Sequence, residues 1–160
     1  MSYKITFGIA VVTALLAIGP AFGADEGNVA PGLTYVGAPL GLHGADPVAL
    51  LDQRTNAEGN ANFAAAHEGV AYYFTSEANM KAFEANPSRY APQYGGFCAY
   101  GVSVGKKFDG DPRFAAVLED KLYVFLNRDV FEAYLKDQVG TVEKAEGNWT
   151  KIEHTAATEL

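Results

Sequence analysis

The fold class of this chain is decided by residues 70–85, VAYYFTSEANMKAFEA, where a strand pattern passes directly into a helix pattern. Tyr72 and Phe74 fall on one face of the first part, as in a strand with one face against a core. The Ser76 hydroxyl can accept a hydrogen bond from a helical amide, so we expect it to end the strand and to begin a helix over Glu77–Ala85. The segment therefore predicts a fold that combines strands with helices.

Similar patterns lie on both sides of this segment. Phe63–His67 is expected to pair with Val70–Phe74 in a hairpin. Phe114–Leu118 and Leu122–Leu126 are expected to form a second hairpin around a charged turn. Val48–Leu51 follows an Asp-Pro turn signal and is wholly apolar, which favours a short buried strand.

Two more helices are expected in the C-terminal part of the chain. Asn127 is a suitable cap for a helix that continues through Asp137, and helical spacing of apolar residues continues over about 139–149. Together these elements predict an α+β fold in which a small antiparallel sheet of two hairpins packs against about three helices. No internal repeat of useful strength is apparent from the sequence.

The N-terminal residues have the composition of a secretory leader. Lys4 gives a positive start, an apolar segment follows, and Ala21-Phe22-Gly23 matches a small-x-small cleavage site. We therefore expect an exported protein, periplasmic or secreted. Its predicted parts are a signal peptide over 1–23, a flexible lead-in over 24–40, one domain over 41–152 and a loose tail over 153–160.

Composition limits the class of partner. The 160 residues carry a formal net charge of −7 and a sequence pI near 4.9, which gives no basic surface for nucleic acid or anionic lipid. We expect a metal ion or a small molecule as the partner, no nucleic acid, and no membrane once the leader is removed. A protein partner is left open.

The segment YGGFCAYG, residues 94–101, contains the single cysteine of the chain, Cys98. Its three glycines permit backbone conformations that other residues avoid, so a tight loop is expected rather than a regular strand or helix. The aromatic residues Tyr94, Phe97 and Tyr100 surround the sulfur in sequence. A lone cysteine is more often a small core residue than a chemical group, and both interpretations are kept.

A metal site is the sharpest chemical hypothesis. Cys98 and His43 are candidate ligands for a soft or borderline ion such as copper or zinc, with Asp46 or Glu68 adding an oxygen. The chain has no close ligand pair of the Cys-x-x-Cys or His-x-x-x-His kind, so the two residues would have to meet through the fold. The alternative is that the histidines are ordinary solvated or capping groups.

A set of short segments recurs at family-specific spacing along the chain. They are DPVA at 46–49, GVAYYFTS at 69–76, Phe83, NP at 86–87, Tyr90, APQYGGFCAYG at 91–101, GDP at 110–112 and KLY at 121–123. With these segments the sequence resembles the YHS domain family, and in particular its exported single-domain branch. The resemblance spans roughly residues 41–152.

This resemblance implies a small α+β domain and an association with metal binding. Metal-binding members carry cysteines where this chain has Ala49, Thr75 and Asn79, so the resemblance assigns no ligand at those three positions. The resemblance to the exported branch also implies tyrosines at the positions of Ala45 and Leu50. Because this chain has an alanine and a leucine there, a pocket at these positions would be more apolar.

The sequence thus leads to two expectations of function. The first is an exported YHS-type binding protein that holds copper or zinc through Cys98 and His43. The second is a non-metal module that binds a small apolar ligand or a protein partner, with Asp46, Tyr94, Phe97 and Tyr100 as candidate contacts and a concave apolar pocket as its mark. No catalytic motif is found, so no enzyme activity is assigned; a thiol enzyme would require a depressed pKa at Cys98.

Overall fold

The computed structural model of this protein describes residues 26–160, and the expected signal peptide lies outside them. The described residues form an α+β fold with four strands and six α-helices, which confirms the predicted class. Short 3-10 turns at Leu42–Gly44, Gln93–Gly96 and Ala157–Glu159 complete it. In chain order the elements are α1 (Pro47–Asp52), β1 (Asn60–His67), β2 (Val70–Phe74), α2 (Glu77–Ala85), α3 (Pro87–Tyr90), α4 (Ala99–Ser103), β3 (Asp111–Leu118), β4 (Lys121–Phe125), α5 (Arg128–Lys136) and α6 (Gln138–Ile152).

Both predicted hairpins are present, but they do not form one sheet. β1 pairs with β2 and β3 pairs with β4, each as a separate antiparallel two-stranded sheet. Each hairpin packs against the helix that follows it. Ser76 caps the first turn of α2, and Asn127 caps the first turn of α5. The side chain of each cap accepts a hydrogen bond from an amide three residues later, which is the geometry expected from the sequence.

Two local predictions were wrong. The apolar segment Val48–Leu51 belongs to helix α1, because the Asp46 carboxylate accepts hydrogen bonds from the first helical amides and Pro47 suits the first turn. The segment around Cys98 is also more regular than expected, since Cys98 caps the short helix α4. In both places a side-chain cap starts a helix that propensity and composition did not indicate.

The fold contains an internal repeat that the sequence did not reveal. A 3-10 turn, a short helix, a hairpin and a longer helix follow one another over residues 42–85, and again over residues 94–136. We call these the first and second repeats. The two hairpins have matching registers, in which Asn60 pairs with Phe74 as Asp111 pairs with Phe125, and both registers shift at the same position after the first pair.

The backbone repeats even where it is unusual. Each repeat begins with three successive residues of positive φ: Leu42, His43 and Gly44 in the first, and Tyr94, Gly95 and Gly96 in the second. The hairpin turns also correspond, since Glu68 and Glu119 both have positive φ. Side chains that recur in the hairpins and their helices are Phe63, Ala64, Ala65, Glu68, Tyr72, Phe74 and Ala82, which correspond to Phe114, Ala115, Ala116, Glu119, Tyr123, Phe125 and Ala133.

Each repeat has its own hydrophobic core, and strand β4 lies between the two. Leu122 and Val124 are buried in the core of the first repeat, together with Phe74 and Phe83. Tyr123 and Phe125 point to the opposite side, as the alternation of a strand requires, and are buried in the core of the second repeat. One strand therefore joins the two halves into a single unit.

The segment before the first repeat is attached to the second repeat. The amide of Asn28 donates to the carbonyl of Gly95, and its side chain donates to the carbonyl of Gly96 and to Asp109. We call residues 26–33 the N-terminal strap. Among residues 26–160, no helix has the length and apolarity that a membrane crossing needs.

Candidate functional site

Asp46 is fully buried and is the centre of a polar network in the first repeat. One carboxylate oxygen accepts hydrogen bonds from the amides of Val48 and Ala49, at 2.8 and 3.1 Å. The other accepts from the amide and the hydroxyl of Thr75, both at 2.8 Å, and from the side-chain amide of Asn79 at 2.7 Å. These five hydrogen bonds satisfy a buried carboxylate without a cationic partner.

This network occupies the three positions at which the family resemblance would place metal-ligating cysteines. Ala49, Thr75 and Asn79 do lie together around Asp46. They offer a methyl group, a hydroxyl and an amide, and both Asp46 oxygens are engaged in hydrogen bonds. These residues therefore do not fit a metal ion, and they leave Asp46 no free group for a ligand.

Cys98 occupies the position in the second repeat that Asp46 has in the first. Its sulfur accepts a hydrogen bond from the amide of Gly101 at 3.4 Å, and the amides of Leu126 and Tyr100 also face it. These three amides correspond to the Ala49, Thr75 and Val48 amides around Asp46. Leu126 and Val130 stand where the first repeat has Thr75 and Asn79, so the polar network has become an apolar one.

Burial controls the chemistry of this sulfur. Cys98 is 1% exposed, and loss of hydration raises the pKa of its thiol, an effect that outweighs the three amides. A raised pKa keeps the sulfur in its thiol form, which is the weaker nucleophile and the weaker metal ligand. Cys98 is thus a core residue, because it is buried and because its raised pKa favours the neutral thiol.

Alkylation of Cys98 should therefore be slow in the native protein. We expect iodoacetamide at pH 8 to label it at a small fraction of the rate seen in urea-unfolded protein, because the thiol must both become exposed and ionise. Mass spectrometry over time in native and denaturing buffer measures the two rates. Equal rates would mean that the sulfur is accessible and would reopen a thiol-based function.

The structure places His43 beside Asp109. Its Nε2 atom lies 2.8 Å from Asp109, and its side chain is 46% exposed. Among residues 26–160, no three His, Cys, Asp or Glu side chains are grouped so that they could hold a metal ion. The copper or zinc site at Cys98 and His43 stays a prediction from the sequence.

The described surface contains a groove of about 920 Å³. One wall is the N-terminal strap, another is the β1–β2 turn with strand β2, and the third is the start of the second repeat with helix α6. Its aromatic lining consists of Tyr72, Tyr94, Phe97 and Trp149. A volume of this size matches the clefts in which proteins bind small organic molecules.

Three aromatic rings that belong to or pack against the core of the second repeat form one side of this lining. The Tyr94 and Trp149 ring centroids are 5.7 Å apart, and those of Phe97 and Trp149 are 6.4 Å apart. The ammonium of Lys107 lies 5.2 and 5.3 Å from the centroids of Phe97 and Trp149, and it donates to the carbonyls of Glu153 and Thr155. The rings are therefore held in place by packing and by a buried cation.

The buried hydroxyl of Tyr94 makes no hydrogen bond within 3.5 Å to another described residue. Burial raises its pKa, and the carboxylate of Glu146 on α6 adds to the shift. The phenol is therefore uncharged near neutral pH. Tyr94 is 5% exposed, so it offers the groove only a small, uncharged part of its surface.

The groove includes some of the predicted contact residues and not others. Tyr94 and Phe97 line it, whereas Tyr100 packs against the second core and Asp46 is committed to its own network. The sequence did not indicate Tyr72 or Trp149 as groove residues; it predicted only that the first lies in a strand and the second at the end of a helix. The single tryptophan of the chain was the signal that could have drawn attention to that wall.

No protein-family model, no curated protein and no solved structure matches this chain. The YHS resemblance therefore stays a prediction from the residues quoted for it, and the export of the protein likewise stays a prediction. What the protein does has to be argued from its own geometry.

Proposed function

We propose that this protein is a binding protein whose groove holds a small, mainly apolar organic molecule. The observation that carries the proposal is the groove itself, because its volume of about 920 Å³ and its four aromatic residues suit a drug-sized ligand. Aromatic side chains contribute large contact areas at a low cost in side-chain entropy. No catalytic arrangement is needed for this role.

The construction of the walls supports a stable site. Strap, hairpin and second repeat come from distant parts of the chain, and the strap is attached through Asn28 to two carbonyls and to Asp109. His154 of the C-terminal tail adds a second attachment, since its Nδ1 atom lies 2.6 Å from the Glu26 carboxylate. A site whose walls are already ordered loses less entropy when a ligand binds.

Binding of N-phenyl-1-naphthylamine, a neutral dye that fluoresces in apolar surroundings, tests the proposal. We expect saturable binding with one dye per protein. Replacement of Trp149 with alanine should weaken the affinity by about tenfold, because one aromatic wall of the groove is lost.

The matched control is Phe114→Ala, which removes another partly buried aromatic ring packed against the core of the second repeat, at a position outside the groove. Its affinity for the dye should stay within about twofold of the parent protein. Thermal unfolding of both variants measures any loss of stability. Binding that is unsaturable, or that falls equally in both variants, would overturn the proposed function.

A further inference from the structure

We infer that the ligand of the groove carries a positive charge, as an amine or quaternary ammonium attached to an apolar body. This inference rests on the proposed function and adds the chemical class of the ligand. Three carboxylates, those of Glu26, Glu68 and Glu153, belong to the groove lining. None of the described lining residues is a lysine or an arginine.

The carboxylates differ in how far they are already engaged. Glu26 lies 2.6 Å from His154, and Glu153 lies 3.9 Å from the other nitrogen of the same ring. Glu68 lies 3.8 Å from the Nε2 atom of His67, and its side chain is 66% exposed. Glu68 is therefore the carboxylate best placed to meet a charge on the ligand.

The position of Lys107 gives the ligand a direction. Its buried ammonium already lies over the rings of Phe97 and Trp149, so the position at which a cation would contact those rings is occupied. The apolar body of the ligand should therefore contact Phe97 and Trp149, while its cationic group lies beside the β1–β2 turn at Glu68.

The charge of the groove also predicts which molecules it excludes. An acidic rim on a protein of net charge −7 repels carboxylates, sulfonates and phosphates, so fatty acids and similar anions are poor ligands. The same field speeds the approach of cations at low salt. The inference therefore predicts an order of affinity among molecules that share one apolar body.

The test is calorimetric titration at pH 8 with 1-naphthylmethylamine, 1-naphthylmethanol and 1-naphthoate, which carry positive, zero and negative charge. We expect the amine to bind about tenfold more tightly than the alcohol, and the carboxylate more weakly than the alcohol. Added salt should narrow the difference between amine and alcohol.

Glu68→Gln should lower the affinity for the amine by about threefold and leave the affinity for the alcohol unchanged. The matched control is Glu119→Gln, which alters the corresponding hairpin turn of the second repeat at the same positive φ but outside the groove. Alcohol binding that equals amine binding would overturn the charge inference and leave the proposed function standing. Failure of all three compounds to bind would overturn both.

Discussion

Replacement of Asp46 with alanine is expected to lower the free energy of unfolding by about 3 to 5 kcal/mol. The change removes a fully buried carboxylate that accepts five hydrogen bonds. The buried amides of Val48 and Ala49 would lose their partner without gaining water, and the cap of α1 would be lost as well. Urea unfolding followed by circular dichroism measures the loss.

The internal repeat supplies the control for this prediction. Cys98→Ala alters the corresponding cap of the second repeat, where the sulfur makes only weak hydrogen bonds among apolar neighbours. Cys98→Ala should lower the free energy of unfolding by about 1 kcal/mol. A loss at Asp46 no larger than the loss at Cys98 would contradict the structural role assigned to the polar network.

Replacement of Gly95 with alanine is expected to weaken dye binding by about tenfold or more while the fold survives. A Cβ atom at Gly95 would lie 1.9 Å from the carbonyl oxygen of Glu26, so the N-terminal strap would have to move away from the groove. The backbone conformation by itself is compatible with a side chain at a modest cost, because His43 has a similar positive φ, 51° against 60°, at the corresponding position of the first repeat. Binding of N-phenyl-1-naphthylamine and thermal unfolding should be measured together.

Gly96→Ala separates the clash from the backbone strain. Gly96 has a φ of +82°, but its added Cβ would lie 3.4 Å from Pro92 and 3.9 Å from Asn28, which are ordinary contacts. Because both glycines have a left-handed backbone conformation, the conformational strain of either alanine should lower the free energy of unfolding by about 1 kcal/mol. Only Gly95→Ala should lose dye affinity. Equal affinities in the two variants would mean that the strap is not a wall of the binding site.

The parts of the fold that could be predicted from the sequence are those with local signals. Ser76 and Asn127 cap their helices as expected, and both hairpins have the strand alternation that predicted them. The prediction of a strand at Val48–Leu51 was wrong because four apolar residues fit a buried strand as well as a buried helix. The Asp46 side chain, which caps the helix, makes the deciding contact. The sequence predicts caps at Ser76 and Asn127, whereas Asp46-Pro47 is typical of a turn.

The repeat and the groove were harder for a different reason. Repeated positions keep their shape but change their chemistry, as Asp46 and Cys98 illustrate, so few identical residues mark the repeat in sequence. The groove is assembled from the strap, the β1–β2 turn and α6, which are far apart in the chain. Tyr94 and Phe97 could be predicted because they surround a conspicuous cysteine, whereas Trp149 carries no local signal of exposure to a ligand.

The most direct test of the groove as the binding site is amide-resolved NMR of the labelled protein during titration with 1-naphthylmethylamine. We predict shift changes at Val70, Gly95 and the Trp149 indole, with the counterparts of the first two, Lys121 and His43, unaffected. Changes confined to the exposed apolar residues Val104, Phe108, Leu135 and Val139, or none at saturating ligand, would contradict the account.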